Sequence, residues 1–131
     1  MNDIILVNKN DEAIGKMEKL LVHQKGLLHR AFSILLFDNK KQMLIQKRKE
    51  DKYHSSGLWS NACCSHPKPN EKIQDAAHRR LIEELNLDCH LDNLFSFIYK
   101  TNFNNNLIEY EFDHVFVGKI NETPKFNPKE I

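Results

Sequence analysis

The sequence is poor in glycine and cysteine and has no long apolar run. Its four glycines supply no phosphate-cradling loop, so a bound flavin is not indicated. Three cysteines, two of them adjacent, cannot form a balanced disulfide framework, which favours a reducing environment. No apolar stretch approaches the roughly 20 residues of a membrane span, and the N-terminal residues lack the basic and apolar regions of a signal peptide. We therefore expect a cytoplasmic protein with no membrane partner.

The charges are nearly balanced, because 19 Lys and Arg against 18 Asp and Glu leave a net charge of +1. No global field favours nucleic acid or a membrane surface, so any site for a polyanion must be local. A chain of 131 residues with 40% hydrophobic content is long enough to bury one sizeable core. Since there is no internal repeat or interdomain linker, we predict one domain over residues 1–131 and leave its oligomeric state open.

Hydrophobic patterns predict strands before and after one long helix. The helix begins after Asn70, which acts as N-cap, and ends at Leu85 before Asn86. A further short piece over 16–23 is either helical or extended. The predicted strands are Ile4–Val7, Leu28–Phe37, Gln42–Lys47, Leu91–Phe103 and Leu107–Val117. This order indicates an α+β fold in which helix packs on sheet.

The long helix carries two charges near the middle of its apolar arc. Arg80 and Glu84 interrupt the face formed by Ile73, Ala76, Ala77, Leu81 and Leu85. They either form an intrahelical ion pair, worth only about 0.2–0.5 kcal/mol, or direct Arg80 at an anion and Glu84 at a metal. We favour the second interpretation, because burying a charge without a strong partner costs several kcal/mol.

A thiol and an imidazole lie two residues apart just before the helix. Pro67 favours an extended backbone at His66, so Cys64 and His66 should point to the same side. The neighbouring thiol of Cys63 should then point to the opposite side. This spacing selects Cys64 as the thiol that shares chemistry with His66.

The last predicted strand alternates between apolar and acidic residues. Ile108, Tyr110, Phe112 and Phe116 form one face, and Glu109, Glu111 and Asp113 form the other. From these residues alone a solvent-facing acidic side is the preferred interpretation. Three histidines elsewhere, His23, His29 and His66, make a metal site the competing one.

Residues 65–87 resemble the Nudix box in spacing, although Ser65 and Asn86 replace its glycines and Arg80 replaces one of its glutamates. The matching positions are Glu71, Arg79, Leu81, Glu83, Glu84 and Leu87. The run Trp59-Ser60-Asn61-x-Cys63-Cys64-Ser65-His66-Pro67, followed by Arg79-Arg80 and Glu84-Leu85, is more specific. It resembles the type I isopentenyl-diphosphate Δ-isomerases, a family with the Nudix fold, and the likeness extends from Lys19 to Glu111.

The resemblance implies a Nudix-like mixed sheet with helices on it and a two-metal diphosphate site. It implies that one divalent ion, Mn²⁺, Zn²⁺ or Mg²⁺, is bound by His23, His29, His66, Glu109 and Glu111. It also implies that Glu84 holds Mg²⁺ against the substrate diphosphate and that Lys19, Arg48, Lys52 and Arg80 bind the diphosphate. Without the resemblance, the basic loop containing Arg48 and Lys52 would be taken as ordinary solvated surface.

The implied reaction converts isopentenyl diphosphate into dimethylallyl diphosphate through a tertiary carbocation. Such a reaction needs two opposed proton carriers, for which the resemblance indicates Cys64 on one side and Glu111, assisted by Tyr99, on the other. Trp59 either packs beside the site or fills core space. The family continues beyond the position of Ile131 with a segment carrying a tryptophan, so we expect a chain ending there to bind metal and diphosphate but to isomerise slowly.

Two other functions compete with the isomerase. The box spacing also fits a Nudix diphosphate hydrolase, which Arg80 and the thiol disfavour and which release of phosphate would reveal. A structural zinc site formed by Cys63, Cys64 and His66 is the third interpretation, and unfolding on chelation would be its signature.

Overall fold

A six-stranded mixed sheet with two helices forms the main body of the described chain. The computed structural model describes residues 2–47, 59–103 and 105–121. Its elements are β1 Asp3–Val7, β2 Ala13–Glu18, α1 Lys19–Lys25, β3 His29–Phe37, β4 Ile45–Lys47, β5 Trp59–Asn61, β6 Cys63–Ser65, α2 Ile73–Leu85, β7 Leu91–Asn102 and β8 Ile108–Lys119. The predicted α+β class is therefore confirmed, and each predicted strand has a counterpart, although β4 covers only the last three residues of the predicted Gln42–Lys47 and β2, β5 and β6 were not among the predicted strands. No helix in these ranges is long and apolar enough to cross a membrane.

Strand β3 lies at the centre of the sheet. The strand order is β2-β1-β3-β8-β7, with β6 also paired to β3, while β4 and β5 form a separate two-stranded sheet. The β3–β8 pair is parallel along the full length of β3, and the other pairs are antiparallel. Because a strand has only two edges and β8 occupies one of them, β6 lies on the other. Residues on β6 and β8 thus flank β3 from opposite sides.

Alternation along β3 separates a core face from a polar face. The even residues Phe32, Ile34 and Leu36 are fully buried in a cluster that also contains Phe116 and the α2 residues Ala76, Ala77, Leu81 and Leu85. Burying side chains of this size contributes about 1.5–3 kcal/mol each, so this packing holds α2 on the sheet. The odd residues of β3 and β8, from His29 to Ser33 and from Glu109 to Val115, point to the other side, called here the odd face.

The predicted end of α2 is confirmed and its predicted start is wrong. Asn86 adopts the left-handed conformation, with φ of 55°, and donates its N–H to Ile82, as a helix stop requires. The helix begins at Ile73 after Lys72, which makes no side-chain cap, and not after Asn70. Asn70 itself has φ of 67° and lies in a turn that the Glu71 N–H closes on the Lys68 carbonyl at 3.0 Å. The tight turn therefore uses the residues that the cap pattern assigned to the helix.

The same turn is tied to α2 by an ion pair. The Arg79 guanidinium donates to both oxygens of Glu71, with Nε 2.8 Å from Oε2 and Nη2 3.0 Å from Oε1. Nη2 also lies 3.5 Å from the carbonyl of His66. A bidentate arginine pair is geometrically specific, so it fixes the backbone next to His66 relative to the helix.

Helix α1 ends in a close approach to β8. Gly26 terminates it with φ of 68°, and a Cβ at this position would lie 2.9 Å from Cδ1 of Ile108. Only glycine combines this conformation with this contact at low energetic cost. The piece over 16–23, for which the sequence allowed helix or strand, contains both, since β2 ends at Glu18 and α1 begins at Lys19. The helix thereby brings His23 to the odd face, next to the start of β3.

Candidate functional site

Three histidines from three separate elements meet on the odd face. His23 comes from α1, His29 opens β3 and His66 follows β6, and the ring centroids lie 5.0 Å (His23–His29), 5.0 Å (His29–His66) and 5.9 Å (His23–His66) apart. One ligand nitrogen of each lies within 4.8 Å of the others. His23 and His29 are completely buried. The three histidines of the predicted metal site are therefore brought together.

Backbone carbonyls set which ring nitrogen faces the centre of the cluster. Nδ1 of His23 lies 2.8 Å from the carbonyl of Lys19, and Nδ1 of His29 lies 2.9 Å from that of Leu27. A carbonyl only accepts hydrogen bonds, so each Nδ1 carries the proton and each Nε2 keeps its lone pair. Nε2 of His29 is buried with no hydrogen-bond partner among the described residues. A bound cation would satisfy this lone pair.

Glu111 supplies a carboxylate to the histidine cluster. Its Oε2 lies 3.2 Å from Nε2 of His66 and 3.6 Å from Nε2 of His29, which is its register partner on β3. Burial alone would raise the pKa of Glu111, but its contacts with His29 and His66 outweigh this and hold its pKa well below the usual range. Burial lowers the pKa of His66 to about 3 and also lowers that of His23. Near pH 7 the carboxylate is thus ionised and these imidazoles are neutral, which is the state that metal binding needs.

Tyr99 joins the two glutamates of β8. It pairs with Glu111 across the β7–β8 ladder, and its hydroxyl lies 2.7 Å from Oε1 of Glu111 and also contacts Oε1 of Glu109. Burial, followed by the charge of Glu111, raises the pKa of Tyr99 far above 10, so the hydroxyl stays protonated and donates. Tyr99, Glu109 and Glu111 therefore form one hydrogen-bonded group beside the histidines.

The preferred sequence interpretation of the acidic row as a solvent-facing side is wrong. Glu111 and Asp113 are only 7% and 4% exposed, respectively. The physical reason is that side chains from other segments meet this row, since His29 and His66 contact Glu111 and Ser33 donates to Asp113. The predicted alternation is correct, but the burial of this face depends on which distant segments contact it.

The donor set fits a divalent metal ion. Three imidazole nitrogens and the Glu111 oxygen converge, with Glu109 joined through Tyr99. An ion with bonds of about 2.1 Å separates its ligand atoms by roughly 3–4 Å, in keeping with this spacing. Three nitrogen ligands favour zinc over magnesium, which prefers oxygen. The identity of the ion stays a prediction.

The adjacent thiols point to opposite faces, as predicted. Cys64 is exposed, with Sγ 3.7 Å from Oγ of Ser33 on the odd face. Cys63 is buried on the core face, where its thiol donates to Oε2 of Glu84, and burial raises its pKa well above the usual value. A structural zinc held jointly by Cys63, Cys64 and His66 is therefore wrong, since Cys63 lies on the other side of the strand.

Arg80 and Glu84 form the intrahelical pair that the sequence interpretation ranked second. Nη2 of Arg80 lies 3.4 Å from Oε1 of Glu84, and Nη1 lies 2.5 Å from Oε2 of Glu83. The thiol of Cys63 and the guanidinium of Arg80 thus compensate the buried charge of Glu84 within the protein. Roles for Glu84 with Mg²⁺ and for Arg80 with diphosphate stay predictions.

Of the other basic side chains predicted to bind the diphosphate, one lies at the site and two lie outside the described residues. Lys19 begins α1 one turn before His23, and its charge contributes to the lowered pKa of both His23 and His66. It therefore lies close to the histidines. Arg48, Lys52 and the Trp59 side chain lie outside the described residues.

Ser33 and Asp113 are site residues that the sequence interpretation missed or left unassigned. The Ser33 hydroxyl donates to Oδ2 of Asp113 at 2.8 Å, and both residues are buried on the odd face. One sequence signal existed: Ser33 interrupts an apolar run in the same alternation phase as His29. The odd face thus holds Cys64, Ser33 and Asp113 beside the metal-type cluster.

Comparison with known proteins gives a family and close relatives. A family model described as NUDIX domain matches residues 27–131. Isopentenyl-diphosphate Delta-isomerase 2 of Photorhabdus laumondii is 54% identical over 128 residues, which cover 98% of this chain and 72% of that protein. Isopentenyl-diphosphate Delta-isomerase of Pectobacterium atrosepticum is 47% identical over 131 residues, covering 100% and 73%.

Solved structures share the fold at low sequence identity. The crystal structure of DR0079 from Deinococcus radiodurans has a TM-score of 0.78 at 23% identity and covers 98% of this chain and 78% of that one. A MutT protein from Methanosarcina mazei has a TM-score of 0.67 at 16% identity, covering 79% and 72%. These likenesses support the fold that the strand order describes.

Proposed function

We propose that this chain, which belongs to the isopentenyl-diphosphate Delta-isomerase family of NUDIX domains, converts isopentenyl diphosphate into dimethylallyl diphosphate. Relatives that bear this name match nearly the whole chain. The observation that carries the proposal is the placement of Cys64 and Glu111 on the odd face, on strands that flank β3 from opposite sides. Moving a carbon–carbon double bond by one position requires a proton to be added at one carbon and another removed elsewhere. Two carriers on either side of the substrate meet that requirement.

The protein's own side chains divide the proton transfers between them. Sγ of Cys64 exchanges a proton on one side of the substrate, and the Glu111 carboxylate exchanges one on the other. Tyr99 keeps Oε1 of Glu111 hydrogen-bonded at 2.7 Å, which fixes the direction of the carboxylate. Protonation of the alkene gives a tertiary carbocation, and loss of a proton on the opposite side gives the allylic diphosphate. The protons gained and lost balance, and nothing is oxidised or reduced.

Metal dependence is part of the proposal. His23, His29, His66, Glu109 and Glu111 would hold one divalent ion, which would supply positive charge beside Glu111. Glu84 would hold Mg²⁺ on the diphosphate, and Lys19, Arg48, Lys52 and Arg80 would bind its oxygens. The reducing cytoplasm remains the expected location, since Cys64 exchanges protons only as a reduced thiol.

The direct test is incubation of metal-loaded protein with isopentenyl diphosphate and detection of the product by chromatography. We expect dimethylallyl diphosphate to form without release of inorganic phosphate. Phosphate release from a nucleoside diphosphate derivative, with no allylic product, would instead support the hydrolase alternative. Absence of both activities in folded, metal-loaded protein would contradict the proposal.

Tyr99→Phe should lower kcat by roughly 10- to 100-fold, because it removes the donor to Oε1 of Glu111 and leaves that carboxylate less well oriented. Steady-state kinetics with isopentenyl diphosphate measure the effect, and bound metal should not change. Tyr110→Phe is the matched control, because Tyr110 belongs to the opposite side of the same ladder, where Lys100 lies over its ring. Similar losses in both variants would count against the role of Tyr99.

A further inference from the structure

Asp113 is a carboxylate whose burial lowers the stability of the fold. It is 4% exposed and accepts one hydrogen bond, from Ser33, while its Oδ1 has no partner among the described residues. An apolar side chain of similar size would cost less at such a position. A buried carboxylate oxygen without a partner among the described residues marks Asp113 as a candidate for function.

Ser33 connects Asp113 to Cys64 across the central strand. Its register partner on β6 is Cys64, and its register partner on β8 is Val115, two residues beyond Asp113. Oγ of Ser33 lies 2.8 Å from Oδ2 of Asp113 and 3.7 Å from Sγ of Cys64. The three side chains therefore form one row over β6, β3 and β8, called here the thiol row.

The hydrogen bonds of the thiol row have a defined direction. The Ser33 hydroxyl donates to Oδ2 of Asp113, so its single proton points to that carboxyl group. Oγ of Ser33 then presents its lone pairs to the thiol, and the Cys64 S–H donates to it. Asp113 thereby orients Ser33, and Ser33 orients Cys64. This arrangement does not require a direct contact between Asp113 and Sγ of Cys64.

We propose that Ser33 and Asp113 are positioning residues that hold the Cys64 thiol on the odd face, beside the position of the substrate. The proposal rests on the proposed isomerase function, in which Sγ exchanges a proton with carbon. A cysteine side chain has three staggered χ1 positions, and Cys64 is exposed. The hydrogen bond from the thiol to Ser33 selects the one that keeps Sγ next to β3.

Serine variants test the contact with the thiol. Ser33→Ala should lower kcat roughly tenfold, because it removes the acceptor of the Cys64 thiol. KM for isopentenyl diphosphate and metal content should stay unchanged, and Ser33→Thr, which keeps the hydroxyl, should restore kcat. Ser96→Ala, at an exposed serine on β7, is the matched control and should have wild-type kinetics. An unchanged kcat in Ser33→Ala would overturn the proposal.

A double-mutant cycle tests whether Asp113 acts through Ser33. Asp113→Leu should lower kcat to about the level of Ser33→Ala while leaving thermal stability equal or higher, because it replaces a poorly compensated buried charge. The double variant should then lose no more than either single variant. Additive losses in kcat, or a parallel fall in kcat and stability, would show a structural role only and would overturn the proposal.

A measurement without substrate separates this proposal from the proposed function. Three-bond NMR couplings of the Cys64 Hβ protons should report one χ1 rotamer in the wild type and in Ser33→Thr, and averaging in Ser33→Ala. Rotamer averaging in an active wild-type enzyme would overturn the positioning role and leave the isomerase function intact. If the protein has no isomerase activity but the Cys64 rotamer still depends on Ser33, the proposed function is contradicted and the geometry of the thiol row is supported.

Discussion

Cys64→Ala should reduce kcat by about 1,000-fold or more, because it removes one of the two groups that exchange protons with the substrate. A positioned general acid or base contributes roughly 10²- to 10⁴-fold to a rate, and no other described thiol reaches the odd face to replace it. Metal content and the fold should be retained, since Cys64 is exposed and its side chain fills no part of the core. Turnover of isopentenyl diphosphate, measured on protein with verified metal content, decides the outcome.

The neighbouring thiol provides the comparison for that result. Cys63→Ala should retain most of the activity, but it should destabilise the protein by about 1–2 kcal/mol. It removes a buried sulfur and the donor to Oε2 of Glu84, so both packing and a buried hydrogen bond are lost. Thermal unfolding and kinetics on the same samples distinguish the two effects. An equal loss of turnover in both variants would sink the assignment of Cys64 as the proton carrier.

The second large effect concerns the histidine cluster. The double variant His29→Ala, His66→Ala should lose its bound divalent ion, because it removes two of three converging nitrogens and the two contacts of Glu111 Oε2. The metal content measured by elemental analysis after dialysis should fall from about one ion per chain to near zero. The stabilisation that added metal gives the wild type, about 4 kcal/mol at 1,000 times Kd, should disappear as well. Turnover should be lost with the metal.

Two histidines outside the cluster serve as controls. His78 and His90 pair with Asp88 and Asp92 near the surface, so His78→Ala, His90→Ala should keep its metal and its activity. Circular dichroism must show that the site variant is folded, since His29 is fully buried. If it is not, His66→Ala alone, at a partly exposed residue, gives the same comparison. Unchanged metal content in a folded site variant would refute the metal site.

Local pattern was enough to predict most of the elements and the family. Side chains alternate along a strand, which correctly separated Cys63 from Cys64 and grouped Glu109, Glu111 and Asp113. The left-handed stop at Asn86 also depends only on neighbouring residues. The likeness to isopentenyl-diphosphate Δ-isomerases, drawn from a short motif, is confirmed by the family to which the chain belongs.

Contacts between distant segments decided the rest, because a local pattern does not report what lies opposite a residue. Asn70 has the chemistry of a cap, but the turn closed by Lys68 and Glu71, with Glu71 held by Arg79, moves the helix start to Ile73. The charge of Glu84 was read as a sign of an external ligand, yet Cys63, 21 residues away, donates to it.

The site itself shows the same division between sequence and structure. The sequence by itself determined that His29, Ser33, Glu111 and Asp113 carry polar groups at alternating strand positions. Only the parallel pairing of β3 with β8, and the placement of β6 on the other edge of β3, decided that these groups are buried together beside His66 and Cys64. Register between strands is set by the burial of Phe32, Ile34 and Phe116 on the opposite face, and that packing requires the whole fold.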